Sequence, residues 1–246
     1  GAPAGLHQAP HQRVTGGLTT PFAWRFPAMR IRCAKVRPVS STSSDEKQRI
    51  ALCDGAWVDL WPALVRDDQA WLDRLRSELP LAPERYRIVG REVMSPRLVS
   101  YHGDANASYR YSGALHRPTP WSPALTQLKA VVEAATGLTF NAVLVNLYRD
   151  GADGMGWHAD DEPEIGPTPD DRWVASLSLG ATRRFLLQHR RTKAQQAFAL
   201  GEGALLVMRG ATQTHYRHRL AKTKRPVAPR LNLTFRVVSA AHERAD

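Results

Sequence analysis

Apolar positions along the chain follow two rhythms, and the change near Gly137 divides the sequence. Before it, apolar residues recur at helical spacing twice. Trp71, Leu72, Leu75 and Leu79 predict a helix over residues 67–79, ended by Pro80 and Pro83. Leu125, Leu128, Val131, Val132 and Ala135 predict a second over residues 122–136. Ser122 is placed to cap it, Pro123 suits its first turn and Gly137 closes it. After Gly137 the pattern turns to short stretches at 140–148, 173–179, 184–189, 196–200, 204–208, 215–218 and 230–237, several of them separated by Gly, Pro or charged turns. This is the grammar of an antiparallel jelly roll or barrel, so the chain is expected to be mainly β with flanking helices, α+β overall. Residues 1–45 show no sustained periodicity and are rich in Gly, Pro, Ser and Thr. They read as a basic tail and linker ahead of one compact domain over 46–240, with its helices in 46–137 and its strand core in 138–240.

Charge adds a partner. The net charge is +11, and residues 1–49 account for +6 of it, so the body of the protein is basic without its tail. A polyanion, most simply nucleic acid, is the expected partner. The richest apolar run, 131–148, is broken by Glu133, Thr136, Gly137, Thr139, Asn141 and Asn146, so no membrane span is expected. The start lacks a compact apolar region followed by a small-residue cleavage site, so no secretory signal is expected either. The cysteines Cys33 and Cys53 make neither a disulfide framework nor a zinc cluster; they are expected as free thiols in a reducing compartment.

Three constellations carry chemistry. In Gly156-Trp157-His158-Ala159-Asp160, a histidine and a carboxylate sit two apart, and on an extended chain side chains at i and i+2 point the same way. Both can then reach one metal, with a third ligand from His215 or His218. Two histidines and one carboxylate leave three positions open on the ion, the arrangement of non-haem iron(II) oxygenases. Alone, His-x-Asp is a weak signal. The second constellation, 230–236, alternates strictly: Leu231, Leu233 and Phe235 share one face, and Arg230, Asn232, Thr234 and Arg236 the other. That polar face is either the solvated side of an edge strand or a dicarboxylate site, since an arginine fork matches a carboxylate bidentately. Spacing alone does not choose. The third is Asn146-Leu147-Tyr148, whose polar side chains again share one face and can add hydrogen bonds to such a ligand.

Taken together, Asn146-Leu147-Tyr148-Arg149-Asp150-Gly151, Met155-Gly156-Trp157-His158-Ala159-Asp160-Asp161-Glu162, Ala175-Ser176-Leu177-Ser178-Leu179-Gly180-Ala181, Gly203-Ala204-Leu205-Leu206-Val207-Met208 and the segment 229–236 resemble the AlkB family in order and spacing. The resemblance is nearest to the branch that repairs DNA and spans the last two-thirds of the chain. It implies a double-stranded β-helix (jelly roll) core with an N-terminal nucleotide-recognition lid, binding Fe(II), with 2-oxoglutarate and O2 as cosubstrates. Carried over by match, His158, Asp160 and His218 are the metal ligands. His218 lies in the family's aromatic-x-His-x-Leu segment, which leaves His215 structural. Arg230 pairs with the far carboxylate of 2-oxoglutarate, and Asn146, Tyr148, Asn232, Thr234 and Arg236 complete that pocket.

The same resemblance assigns the lid to segments containing Arg97, Tyr109, Arg110 and Tyr111, with Tyr111 stacking on a flipped base and Tyr109 beside it. Asp161 and Glu162, next to the ligands, would favour a cationic methylated base such as 1-methyladenine or 3-methylcytosine. The implied reaction is oxidative demethylation of alkylated bases, releasing formaldehyde, succinate and CO2. The hairpin that wedges duplexes in the family maps to Val89, Gly90 and Arg91. Val89 is a small wedge, so single-stranded DNA, duplex DNA and RNA all stay open. The same chemistry on protein, and a non-catalytic nucleic-acid-binding jelly roll, are the rival expectations. The implied setting is a monomer in a bacterial cytoplasm, or in the nucleus of a eukaryote.

Overall fold

The computed structural model describes Gly1 and residues 46–88, 91–111, 114–166 and 172–239; at 86–88, 91, 92, 110, 111 and 114 it describes the backbone alone. The chain falls into two compact units, Gly1–Arg32 and Cys33–Asp246, and everything below concerns the second. Its elements in chain order are β1 (Gln48–Ala51), β2 (Ala56–Trp61), α1 (Asp68–Glu78), β3 (Ala82–Ile88), β4 (Arg91–Gly103), β5 (Tyr109–Tyr111), β6 (Ala114–His116), α2 (Pro123–Thr136), β7 (Ala142–Tyr148), β8 (Met155–His158), β9 (Val174–Gly180), β10 (Arg183–His189), β11 (Gln195–Leu200), β12 (Leu205–Gly210), α3 (Thr212–His215), β13 (Tyr216–Leu220) and β14 (Arg230–Arg236). Among the described residues no helix is long and apolar enough to cross a membrane.

Local chemistry sets the helix ends. Ser122 Oγ accepts the Leu125 N–H at 3.3 Å, Pro123 starts α2, and Gly137 ends it in the left-handed region at φ 68°. Helix α1 has no side-chain cap on its own N-terminus. Instead Asp68, in its first turn, accepts the Gly180 N–H at 2.6 Å and ties the helix to the end of β9.

Two antiparallel sheets face each other. The larger runs β1-β2-β12-β9-β14-β7-β4-β3 and the smaller β11-β10-β13-β8, while β5 and β6 form a separate hairpin. Period-2 alternation then sorts side chains into two layers. On the outer face of the large sheet, Val143, Val145, Leu147, Leu177, Leu179, Leu231, Leu233 and Phe235 pack with Leu72, Leu75, Leu125, Leu128 and Val132 from the two helices. Between the sheets, Val58, Val174, Phe185, Leu187, Phe198, Leu206 and Met208 fill one end. The polar face of β14 also turns inward, where Arg230, Asn232, Thr234 and Arg236 are all buried. Strand β14 is central, paired with β7 on one side and β9 on the other. The solvated-edge reading is therefore excluded, and the interior of the jelly roll is where that polar face ends.

Three expectations need correction. The stretch 215–218 is not one strand: His215 ends α3, where its N–H returns to the Ala211 carbonyl at 2.9 Å, and β13 begins at Tyr216. Apolar periodicity predicted no strand before Gly137, where only the resemblance placed a hairpin about residues 89–91, yet β1 and β2 form one flank of the large sheet and β3 and β4 the other. In β2 every residue but Trp57 is buried, so it shows no alternation, and β4 runs through Pro96, a residue that speaks against a strand in the sequence. Cys53 is disulfide-bonded rather than a free thiol, since two cysteines leave pairing undecided by spacing.

Leu233 is fully buried between helix and sheet. Leu233→Ala is expected to cost about 2–5 kcal/mol in equilibrium denaturant unfolding; a loss well under 1 kcal/mol would contradict this packing.

Candidate active site

Two histidines face each other across a strand pair. His158 ends β8 and His218 lies in β13, and the two are direct partners in the antiparallel ladder. Their ring centroids are 4.2 Å apart. Asp160 lies beyond the end of β8, not on the strand as its spacing suggested. Its backbone N–H is held at 3.1 Å by Gln213 Oε1 of α3, and this bond brings the carboxylate back to the histidines. Asp160 Oδ2 is 3.6 Å from His218 Nε2, and one ligand atom from each of the three residues lies within 4.8 Å of the others. His215 is outside this group.

The electrostatics suit a cation. Burial pushes His218 down to about 3 and holds His158 below its ordinary value, against the pull of Asp160 in both. Both imidazoles are therefore neutral at pH 7. Burial alone would raise the Asp160 carboxyl, but Arg236, then His218 and His158, hold it below the usual range. Arg236 Nη2 lies 2.5 Å from Asp160 Oδ1. Burial also opposes the charge on Arg236, yet Asp160 and the nearby Tyr109 and Glu162 raise it above its ordinary value. His158 Nδ1 sits 2.9 Å from the Gly156 carbonyl, so Nδ1 donates there and Nε2 keeps its lone pair for a metal.

Beside this triad lies Arg230. It is 1% exposed, and it makes no salt bridge among the described residues. Its Nη2 donates to Ser178 Oγ at 2.7 Å and Asn232 Oδ1 at 2.8 Å, its guanidinium sits 5.4 Å from the Tyr148 ring centroid, and its Nε has no partner. Burial pushes this arginine down to about 10, although Tyr148 works the other way. Asn232 Nδ2 donates in turn to Thr234 Oγ1, and Asn146 Oδ1 accepts from Arg97 Nε. A cation so buried, with a donor unused, awaits an anion.

One cleft holds all of this, about 750 Å³ including its open mouth. It is lined by the triad, by Asn146, Tyr148, Arg230, Asn232, Thr234 and Arg236, and by Arg97, Tyr109 and Glu162. Asp161 does not join them. It is exposed and pairs with Arg190 at 2.6 Å, because successive side chains leave this irregular segment on different sides. Val89 and Gly90, and the side chains of Arg91, Arg110 and Tyr111, lie outside the described residues. The sequence reading missed Glu84 and the apolar wall of Met155, Phe185, Met208 and Leu220. Of these, Leu220 stands two residues beyond His218, where alternation could have flagged it; Met155 stands three before His158, a spacing that alternation assigns to the other face, and nothing in the sequence near Glu84 points to the cleft.

The residues present fit ferrous iron and 2-oxoglutarate. Two neutral imidazoles and an ionised carboxylate are the donor set of iron(II) sites with three open positions. Arg230 supplies the unsatisfied donor that a dicarboxylate's far end needs.

A jelly roll with this triad and arginine defines a class, and comparison agrees. A family model for the 2OG-Fe(II) oxygenase superfamily matches residues 62–236. The chain is 38% identical over 162 residues to human DNA oxidative demethylase ALKBH2, covering 63% of this chain and 61% of that protein. For the mouse ALKBH2 the identity is 41%, over 63% of this chain and 66% of the relative. The chain thus spans less than two-thirds of these relatives' length. With the rat alpha-ketoglutarate-dependent dioxygenase alkB homolog 3 it is 34% identical over 232 residues, 88% of this chain and 76% of that one. The solved structure titled "The structure of OsALKBH1" shares the fold, with TM-score 0.57 at 20% identity over 77% of this chain and all of that chain. The chain belongs to the 2OG-Fe(II) oxygenase superfamily and, within it, to the AlkB family.

His218 takes a proton near 6.5 when unfolded but only near 3 when folded, so the unfolded state binds more protons between those values. Its contribution to stability is full above about 6.5 and fades as pH falls toward 3. Metal-free protein is expected to lose melting temperature from pH 7 to pH 5, and to lose less in His218→Gln; equal losses would contradict the burial of a neutral imidazole.

Proposed function

We propose that this protein is an Fe(II)- and 2-oxoglutarate-dependent dioxygenase that repairs alkylated nucleic acid by oxidative demethylation of N-methylated bases. The observation that carries the reading is Arg230, a buried cation with an unused donor, lining the same cleft as two histidines and a carboxylate. His158, Asp160 and His218 would hold the iron, and Arg230, with Asn232, Thr234, Asn146 and Tyr148, the cosubstrate. When bound, these and O2 supply an oxidant that hydroxylates an N-methyl group, 2-oxoglutarate leaving as succinate and CO2 and the methyl carbon as formaldehyde.

The chain's own residues do the placing. Arg236 fixes the rotamer of Asp160 and keeps it ionised, so one oxygen is committed to the arginine and the other faces His218. Met155, Phe185, Met208 and Leu220 give the cleft a dry wall, which limits attack by the oxidant on water and on the wrong carbon. Tyr109 and Glu162 line the substrate side. Tyr109 is buried, braced edge-on by Tyr101 at 5.0 Å and stacked on His116 at 5.3 Å. Glu162 has a buried oxygen without a partner, and burial holds its carboxyl above the ordinary value despite Arg236. An added cation would satisfy that oxygen, which favours methylated bases that carry positive charge, 1-methyladenine and 3-methylcytosine. Such a base must leave the stack to reach this depth, and methylation of its pairing edge makes extrusion easier. The basic body favours the nucleic-acid strand around it.

Two experiments test this. Purified protein with Fe(II) and 2-oxoglutarate, exposed to air with single- and double-stranded DNA and RNA oligonucleotides carrying 3-methylcytosine, is expected to release succinate and repaired base in step. Asp160→Ala should lower both more than about 100-fold. Succinate without repair would remove the nucleic-acid substrate. Arg230→Met is expected to keep or raise the melting temperature of the metal-free protein, because an unpaired buried charge is lost. It should also abolish the rise that 2-oxoglutarate gives to the iron-loaded wild type; a variant still stabilised by 2-oxoglutarate would overturn the role of Arg230.

A further inference from the structure

The cleft contains a carboxylate that the reading above leaves unused. Glu84 lies on β3, the edge strand of the large sheet, and lines the same cleft as the metal triad. Its placement is built by an irregularity in the strand pair. Pro83 pairs with Leu98 and Arg85 with Met94, so Glu84 alone stands opposite Ser95, Pro96 and Arg97 of β4. A bulge of this kind, with a proline that donates no ladder bond, re-aims side chains beside functional sites. Here it turns Glu84 and Arg97 to the cleft.

Glu84 is held there by the separate hairpin. His116 of β6 approaches Glu84 Oε1 with Nδ1 at 3.3 Å, and both side chains are about a fifth exposed, at 20% and 21%. His116 is also the ladder partner of Tyr109 and lies stacked on it, 5.3 Å between centroids at 26°. Glu84, His116 and Tyr109 thus form one continuous contact from the sheet edge to the wall that faces the substrate. A single histidine–carboxylate pair at a partly exposed rim contributes modestly to stability, so fold alone gives small reason to aim a carboxylate into this cleft.

Charge accounts for it. Three arginines and three carboxylates line the cleft: Arg97, Arg230, Arg236, Asp160, Glu84 and Glu162. Iron and 2-oxoglutarate cancel each other when both bind. Three positive and three negative side chains then leave the lining neutral; without Glu84 it would carry +1 and would oppose a cationic base.

Resting on the demethylase reading, we propose that Glu84, positioned by His116, is a specificity-determining residue that selects cationic methylated bases over neutral ones. A neutral N-methylated base gains nothing from the second carboxylate and meets its desolvation; a cationic one gains a charge-assisted contact. Glu162 alone would give one such contact.

The test compares two bases methylated at the same ring position, 3-methylcytosine, which is cationic at neutral pH, and 3-methylthymine, which is neutral. Full-length wild type and Glu84→Gln are assayed for kcat/KM on single-stranded oligonucleotides carrying each, and for affinity to the same oligonucleotides by fluorescence anisotropy with iron and 2-oxoglutarate under nitrogen. Melting temperatures confirm that the near-isosteric variant is folded. The wild type is expected to prefer 3-methylcytosine, and Glu84→Gln to lower that preference about tenfold in both readouts, with 3-methylthymine little changed. An equal fall on both bases would make Glu84 a tie for the lid and overturn the proposal. An unchanged preference in the variant would overturn it as well, while leaving the demethylase reading intact. Wild type that neither binds nor repairs either base would overturn that reading and this one with it.

Discussion

The interior of this jelly roll is organised around buried arginines, and Arg230 sets the strongest constraint. At 1% exposure, with no salt bridge among the described residues, its charge is stabilised only by hydroxyl and amide oxygens and by the Tyr148 ring. Such a group weakens the empty fold, since desolvation of an ion exceeds what neutral partners return. It makes physical sense in a protein that regains the loss on binding an anion. The rest of the large sheet serves this placement. Leu231, Leu233 and Phe235 anchor the other face of β14 against two helices, and the neighbours β7 and β9 fix its register, so the guanidinium is aimed by packing rather than by a flexible loop.

A second arginine works in the opposite sense. Arg236 sits two strand repeats beyond Asn232 on the same face and finds its anion within the chain, at Asp160. One strand face therefore holds a cation already paired with a buried carboxylate and a cation with no salt bridge among the described residues. The same alternation that buries three apolar side chains spaces the two charges across the cleft. The His158–Asp160–His218 cluster and Arg230 are joined through one strand, and a slip of one residue in β14 would exchange its buried faces and displace both arginines.

Much of this was legible in the residues. The caps of α2 and the alternation of 230–236 predicted helix and strand with small errors at the ends. What spacing could not settle was the side to which the polar face of β14 turns, because solvated and ligand-bound faces share one pattern. The triad His158, Asp160 and His218 was readable as residue types, but its geometry was not. Asp160 leaves the strand and depends on Gln213 of α3, a contact 53 residues away in sequence. Glu84 was invisible for a related reason: its aim comes from a register shift against β4, and no local pattern records a mismatch between two strands. Asp161 and Glu162 show the converse, adjacent acids of equal promise from sequence, one in the cleft and one on the surface.

The central claim is that Arg230 is completed by the far carboxylate of a dicarboxylate bound at the metal. Calorimetric titration of the iron-loaded protein under nitrogen with 2-oxoglutarate and with pyruvate, which offers the same chelating end and no far carboxylate, tests it directly. The account predicts that 2-oxoglutarate binds about 10- to 100-fold more tightly, the worth of charged hydrogen bonds to a buried arginine. Equal affinities for the two acids would contradict it.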